Sequence, residues 1–163
     1  MTEALTRTLD RLRADSSCLV LPPAGQPVLP TGFRPPEDLN SFYSQCGGVG
    51  LHVGGDRESW IVKPEGFLHA STEMLGEAHT EDRSSAWFIV AVEADTQPLA
   101  VIDLADDRHG RCYDAFHETY GLVGDMATIA LTFQDLLAAL SRDGGEQPYW
   151  LEPGWTALGD AYA

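Results

Sequence analysis

Leu5, Leu9 and Leu12 recur at helical spacing in an otherwise polar opening, which predicts a short helix over residues 1–13. Leu21-Pro22-Pro23-Ala24-Gly25-Gln26-Pro27 breaks any regular element and reads as an extended linker. The next apolar repeat is sharper. Leu39, Phe42, Tyr43 and Cys46 fall at i, i+3, i+4 and i+7, behind Pro35, Pro36 and the acids Glu37 and Asp38. Proline and early acids suit a helix start, and the Gly47-Gly48 pair suits a left-handed stop, so a helix is predicted over residues 36–46.

The pattern then changes to short apolar runs at 49–53, 59–62, 86–93, 98–104 and 110–113. The run Trp87-Phe88-Ile89-Val90-Ala91-Val92 is apolar throughout and rich in aromatic and β-branched residues, which marks a central strand. Ala94-Asp95-Thr96-Gln97 reads as a turn into Leu99-Ala100-Val101-Ile102, making a hairpin. Residues 71–77 predict a helical turn. Met126, Ile129, Ala130, Phe133, Leu137 and Leu140 lie on one helical face, with Asp125 as cap and Gly144-Gly145 as stop, and predict a helix over 126–140. Tyr149, Trp150 and Trp155 lie in an aromatic tail expected to pack back on the body.

Helices at both ends of a block of strands predict an α+β fold, a mainly antiparallel sheet of about four to six strands, rather than a doubly wound sheet. Residues 1–27 divide off as a first helix and proline-rich linker, 28–142 as the α+β body and 143–163 as the tail.

Composition narrows the function. Hydrophobic residues at 44% and charged residues at 21% exclude a wholly disordered chain. Lys and Arg number 10 against 25 Asp and Glu, a net charge of −15, and Lys63 is the only lysine. Without clustered cations the chain is a poor ligand for nucleic acid or for an anionic membrane, and no apolar run approaches membrane-spanning length. A basic protein is the partner that such a charge favours, because opposite fields speed encounter. Cys18, Cys46 and Cys112 are odd in number and far apart, which indicates neither a disulfide framework nor a metal site. With no signal-like opening, the expectation is a cytoplasmic protein, monomer or homodimer, without cofactor.

Candidate chemistry is sparse. Asp103, Asp106 and Asp107 beside Arg108 and His109 resemble a metal cluster only in density, since their spacing matches no calcium loop and a solvated turn explains them better. His52, His69, His79, His109 and His117 lack zincin spacing and read as surface or capping groups. Cys46 lies on an apolar stripe with no base at hand and reads as core. Gly47 to Gly50 and Gly54-Gly55 match no phosphate loop. Trp60, Trp87, Trp150 and Trp155 are candidate anchors for a partner, with core packing favoured for Trp87.

Leu29-Pro30-Thr31-Gly32-Phe33, followed by a helix ending Phe42-Tyr43-Ser44-Gln45-Cys46-Gly47-Gly48, resembles the opening of the SUKH superfamily of Smi/Knr-like proteins. Trp60-Ile61-Val62 with Pro64-Glu65-Gly66-Phe67, then Trp87-Phe88-Ile89-Val90-Ala91, are similar to the strands that follow. Ile102-Asp103-Leu104 and Gly110-Arg111-Cys112-Tyr113-Asp114 continue the order, and Ile129 to Leu137 resembles the closing helix. The resemblance covers residues 28–142. It implies a domain without catalysis, many bacterial members being immunity proteins that neutralise a toxin, often a nuclease, and others regulatory scaffolds. The expected partner is therefore a basic toxin, met by a surface including Asp103, Asp106, Asp107, Asp114 and Glu118, with Trp155 beside it. Two readings compete: a regulatory scaffold without a toxin, and an enzyme or small-ligand binder with a pocket lined by aromatics such as Trp60 and Tyr113.

Overall fold

A computed structural model describes residues 2–93, 97–142 and 147–163. These residues form seven strands in one antiparallel meander, each strand paired with its sequence neighbours. In chain order they are β1 (Leu19–Val20), β2 (Val49–Leu51), β3 (Ser59–Ile61), β4 (Trp87–Glu93), β5 (Pro98–Asp103), β6 (Cys112–Asp114) and β7 (Thr128–Ala130). The helices are α1 (Thr2–Arg13), α2 (Glu37–Gln45), α3 (Ala70–Leu75) and α4 (Phe133–Ser141). The class is the expected α+β, with one strand more than the expected range.

The two additional pairings arise where sequence pattern misleads. β1 lies at the start of the proline-rich stretch and pairs Val20 with Val49. Beyond it the stretch keeps bonding: the Leu21 N–H donates to the Gly48 carbonyl and the Gly47 N–H to the Leu21 carbonyl. β7 occupies the first part of the expected 126–140 helix. Met126, Ile129 and Ala130 do face the core, but Thr128 and Ile129 are β-branched and Thr128 and Ala130 pair with β6, while the Thr132 hydroxyl accepts from the Asp135 N–H at 3.0 Å and starts α4 there. Asp125 instead lies in a turn, its N–H donating to the Leu122 carbonyl. The expected glycine stop at 144–145 and the tip of the 94–97 turn lie outside the described residues.

α2 ends as expected, but by another device. Cys46 turns extended (φ −155°) and its N–H donates to Phe42, so no left-handed glycine caps the helix. Gly47 is needed for contact: a Cβ there would stand 2.4 Å from the Pro22 carbonyl oxygen. Gly48 has φ +134°, open chiefly to glycine. The helical turn near 71–77 is α3. His69 caps it, Nδ1 accepting from the Thr72 N–H at 3.3 Å while Nε2 pairs with the Ser85 carbonyl at 2.8 Å. Gly76 closes it in the left-handed region at φ +80°.

The core is continuous. Leu5, Leu9 and Leu12 of α1, Leu39 and Phe42 of α2 and Leu136 and Leu137 of α4 are all buried in it. Phe42 meets Phe133 edge-on at 4.9 Å, and the α4 N-terminus is tied to α2 by the Gln134 N–H donating to Asp38 at 2.9 Å. Phe88, in the central strand, stacks on Phe67 at 5.5 Å.

The outer rim of β7 is occupied by a distant part of the chain. The Thr128 N–H donates to the Gly159 carbonyl (2.8 Å), Leu158 to the Thr128 carbonyl (3.0 Å) and Ala161 to the Met126 carbonyl (2.9 Å). The Asp160 carboxylate accepts from the Gly124 and Met126 N–H groups, fixing the turn that precedes β7.

Candidate interaction site

The acids singled out by sequence separate into different environments. Asp103 closes β5 and is fully buried, which removes it from the expected contact surface. Its Oδ2 accepts from the Tyr113 hydroxyl (2.6 Å), Arg108 Nε (2.9 Å) and Trp87 Nε1 (3.2 Å), and its Oδ1 from the Ala105 N–H (3.0 Å). Trp87 pairs with Asp103 across the β4–β5 ladder and Tyr113 follows on β6, so three neighbouring strands deliver this cluster. Burial, and then the Asp103 carboxylate, push the Tyr113 hydroxyl well above its ordinary range. This carboxylate is a structural cross-brace. Tyr113 is equally internal and does not line any of the clefts described below, where the small-ligand reading expected it.

Asp106 and Asp107 lie exposed in the 3-10 turn between β5 and β6, each already facing a cation. Arg108 Nη1 donates to both oxygens of Asp107 (3.0 and 2.9 Å), and Arg34 approaches Asp106 to 3.5 Å. Asp114 lies at the far end of β6, half-buried, hydrogen-bonded by the Phe116 N–H and the Trp150 indole. Burial outweighs those bonds and holds its carboxyl above the ordinary value. Glu118 is exposed beyond it. Trp155 is partly covered, meeting Tyr149 edge-on at 6.0 Å. The expected set is thus not one patch but two acidic ends of the β5–β6 pair with Asp103 inside.

The cysteines are unpaired, and among the described residues no three His, Cys, Asp or Glu side chains gather as a metal site. Burial pushes the Cys46 and Cys112 thiols upward. Among the described residues no helix is long and apolar enough to cross a membrane.

A better-formed surface lies at β3. Trp60 faces Gly50 of β2 in the ladder. A Cβ on Gly50 would stand 2.7 Å from the indole ring, so glycine is what lets the ring lie across the neighbouring strand. Its Nε1 donates to Glu58 at 2.8 Å, and the other Glu58 oxygen accepts from the Gly54 N–H at 2.8 Å; the Gly54 and Trp60 bonds hold that carboxyl below the ordinary range. Trp60, Leu68, Ile89 and Val92 form the apolar lining of a cleft of about 580 Å³, whose acids are Glu65, Glu73 and Glu93 and whose cation is Lys63. A smaller cleft of about 340 Å³ shares Glu65 and Leu68 and adds Val28, which is 94% exposed. Sequence reasoning named Trp60 but missed the glutamates, whose gathering depends on the fold. The readable signal was a tryptophan in a short strand with Gly50 ten residues earlier in the preceding apolar run.

Two further clefts open elsewhere. One, of about 720 Å³, is lined by Asp82, His79, Tyr120 and Tyr162. There the Tyr162 hydroxyl donates to Asp82 at 2.7 Å; burial works against the charge, but the bonds from Ser84 and Tyr162 outweigh it and hold the carboxyl below its ordinary value. The other, of about 410 Å³, lies by Asp114, Phe116 and Trp150.

No family model and no solved structure matches the chain. Among curated proteins it is similar to Immunity protein YokJ of Bacillus subtilis (strain 168), with 38% identity over 154 residues, 94% of this chain and 93% of that protein. A likeness of that depth over nearly the whole of both chains is one of common fold and descent, and it agrees with the SUKH-type resemblance carried by the ordered motifs. The chain belongs to the family of the immunity protein YokJ.

Proposed function

We propose that this chain is an immunity protein that neutralises a basic, nuclease-type toxin by binding it, without chemistry of its own. The observation that carries the reading is the end-to-end similarity to an immunity protein. Charge supports the choice of partner. A nuclease holds phosphate with clustered cations, and a chain of net charge −15 competes for that face and is drawn to it. The exposed carboxylates Asp106 and Asp107 at one end of the β5–β6 pair, and Glu118 with the half-buried Asp114 at the other, contribute to this field. The groups with latent reactivity serve the fold instead: Asp103 is locked to Arg108, and the Cys46 and Cys112 thiols are buried.

Co-expression with the product of the gene adjacent to this chain's own tests the reading. Growth should be rescued and a stable complex should purify; continued toxicity with the chain present and folded refutes it. Reversing Asp106, Asp107 and Glu118 to lysine should slow association about tenfold at low salt and flatten its salt dependence. An unchanged rate removes those carboxylates from the field that attracts the partner.

A further inference from the structure

The acidic exterior explains attraction, and a stable complex also needs a centre that excludes water. We propose that the cleft over the Trp60 indole is that centre: it seats a basic contact segment of the toxin, one apolar side chain packing on Trp60 and Leu68 while flanking arginines or lysines pair with Glu65, Glu73 and Glu93. This rests on the immunity reading.

Four observations converge on it. Trp60 is a partly exposed aromatic whose pose is set in advance by Gly50 beneath the ring and Glu58 at its nitrogen, so little side-chain freedom is lost on binding. Tryptophan is the residue type most enriched among interface anchors. Leu68, 42% exposed, and Val28, 94% exposed, extend the apolar area around it. The rim carries three glutamates against one lysine, and among the described residues none of those glutamates makes a salt bridge, whereas Asp106 and Asp107 already face arginines.

Charge also selects the occupant. A second copy of this chain would bring glutamates against glutamates in a protein of net charge −15, whereas a cationic segment meets complementary charge. The geometry separates two roles: carboxylates on the exterior set the association rate, and the Trp60 cleft sets the lifetime of the complex.

The test is binding kinetics with a purified, catalytically inactivated toxin domain from the partner that the co-expression experiment identifies. Trp60→Ala should weaken the complex at least about 30-fold, chiefly through faster dissociation. Trp60→Phe, which keeps a ring but loses the Glu58 bond, should fall between. The triple variant E65K/E73K/E93K alters only exposed side chains, so it carries the test even where Trp60→Ala proves unstable; it too should lose at least about 30-fold. Circular dichroism and melting temperature establish that each variant is folded. If the wild-type chain forms no complex, the immunity reading falls and the cleft with it. If the wild type binds and the triple variant, together with Trp60→Ala where that variant folds, stays within threefold of it, the cleft is overturned and the immunity reading stands.

Discussion

Replacing Asp103 should damage the fold more than any other single carboxylate change. In Asp103→Ala the fully buried Trp87 indole N–H and the Tyr113 hydroxyl, 1% exposed, lose their acceptor together, and Arg108 loses one of two carboxylate partners. An orphaned buried donor costs about 1–3 kcal/mol, and breaking a buried ion pair about 3–5 kcal/mol. These figures overlap because one carboxylate serves all three donors, and Arg108 retains Asp107. A net loss of about 4 kcal/mol is expected, a large part of the roughly 5–15 kcal/mol that holds a domain together. The melting temperature should then fall by about 8–16 °C for a chain of this size. Asp103→Asn keeps the shape but turns an amide N–H toward at least one donor, and should lose about half as much. Urea unfolding followed by tryptophan fluorescence, with thermal melts at pH 7, gives both numbers. Asp103→Ala combined with Tyr113→Phe should cost less than the sum of the single changes, since both remove the same bond. A loss below about 1 kcal/mol for Asp103→Ala refutes the cross-brace and reopens the acid for a surface role.

Two further outcomes follow from burial. Asp114 has its carboxyl held above 3.8 by desolvation, so its charge burdens the fold at neutral pH and the burden is lifted as the group protonates in acid. Asp114→Asn should therefore raise the melting temperature at pH 7 by on the order of 1–3 °C, and the advantage should vanish by about pH 3; equal melts at pH 7 contradict this. Iodoacetamide at pH 8 should modify the partly exposed Cys18 at least about 100-fold faster than the buried Cys46 and Cys112, with all three reacting in urea. Mass spectrometry of the native protein showing three adducts at similar rates would remove the case for Cys46 and Cys112 as core residues.

Much of the frame was legible because it follows from local periodicity. The leucine triplet of α1, the Leu39–Phe42–Tyr43 stripe of α2 and the apolar β4–β5 hairpin announce themselves within a few residues. What escaped depends on partners far away in sequence. Thr128-Ile129-Ala130 fits a helical face as well as a buried strand, and only pairing with β6 decides. Leu19 and Val20 form a strand because Val49 and Gly50 are there to receive them. Asp103 looked like one acid in a solvated turn. The discriminating hint was its place in the apolar run Val101-Ile102-Asp103-Leu104, where a carboxylate must find donors or leave the strand. The acids around Trp60 come from the turn after β3, from α3 and from the end of β4, so no window of sequence contains them together.

The segment lying along β7 has a consequence for how this protein meets others. A bare outer strand invites any extended peptide to continue the ladder, the route by which sheets fuse end to end and by which some receptors capture their ligands. Here Gly159, Leu158 and Ala161 already hold the backbone groups that such a guest would need. Polymerisation and strand donation through that border are both blocked. A guest at that border is then read by side chains alone, which can be exchanged one at a time without disturbing the ladder.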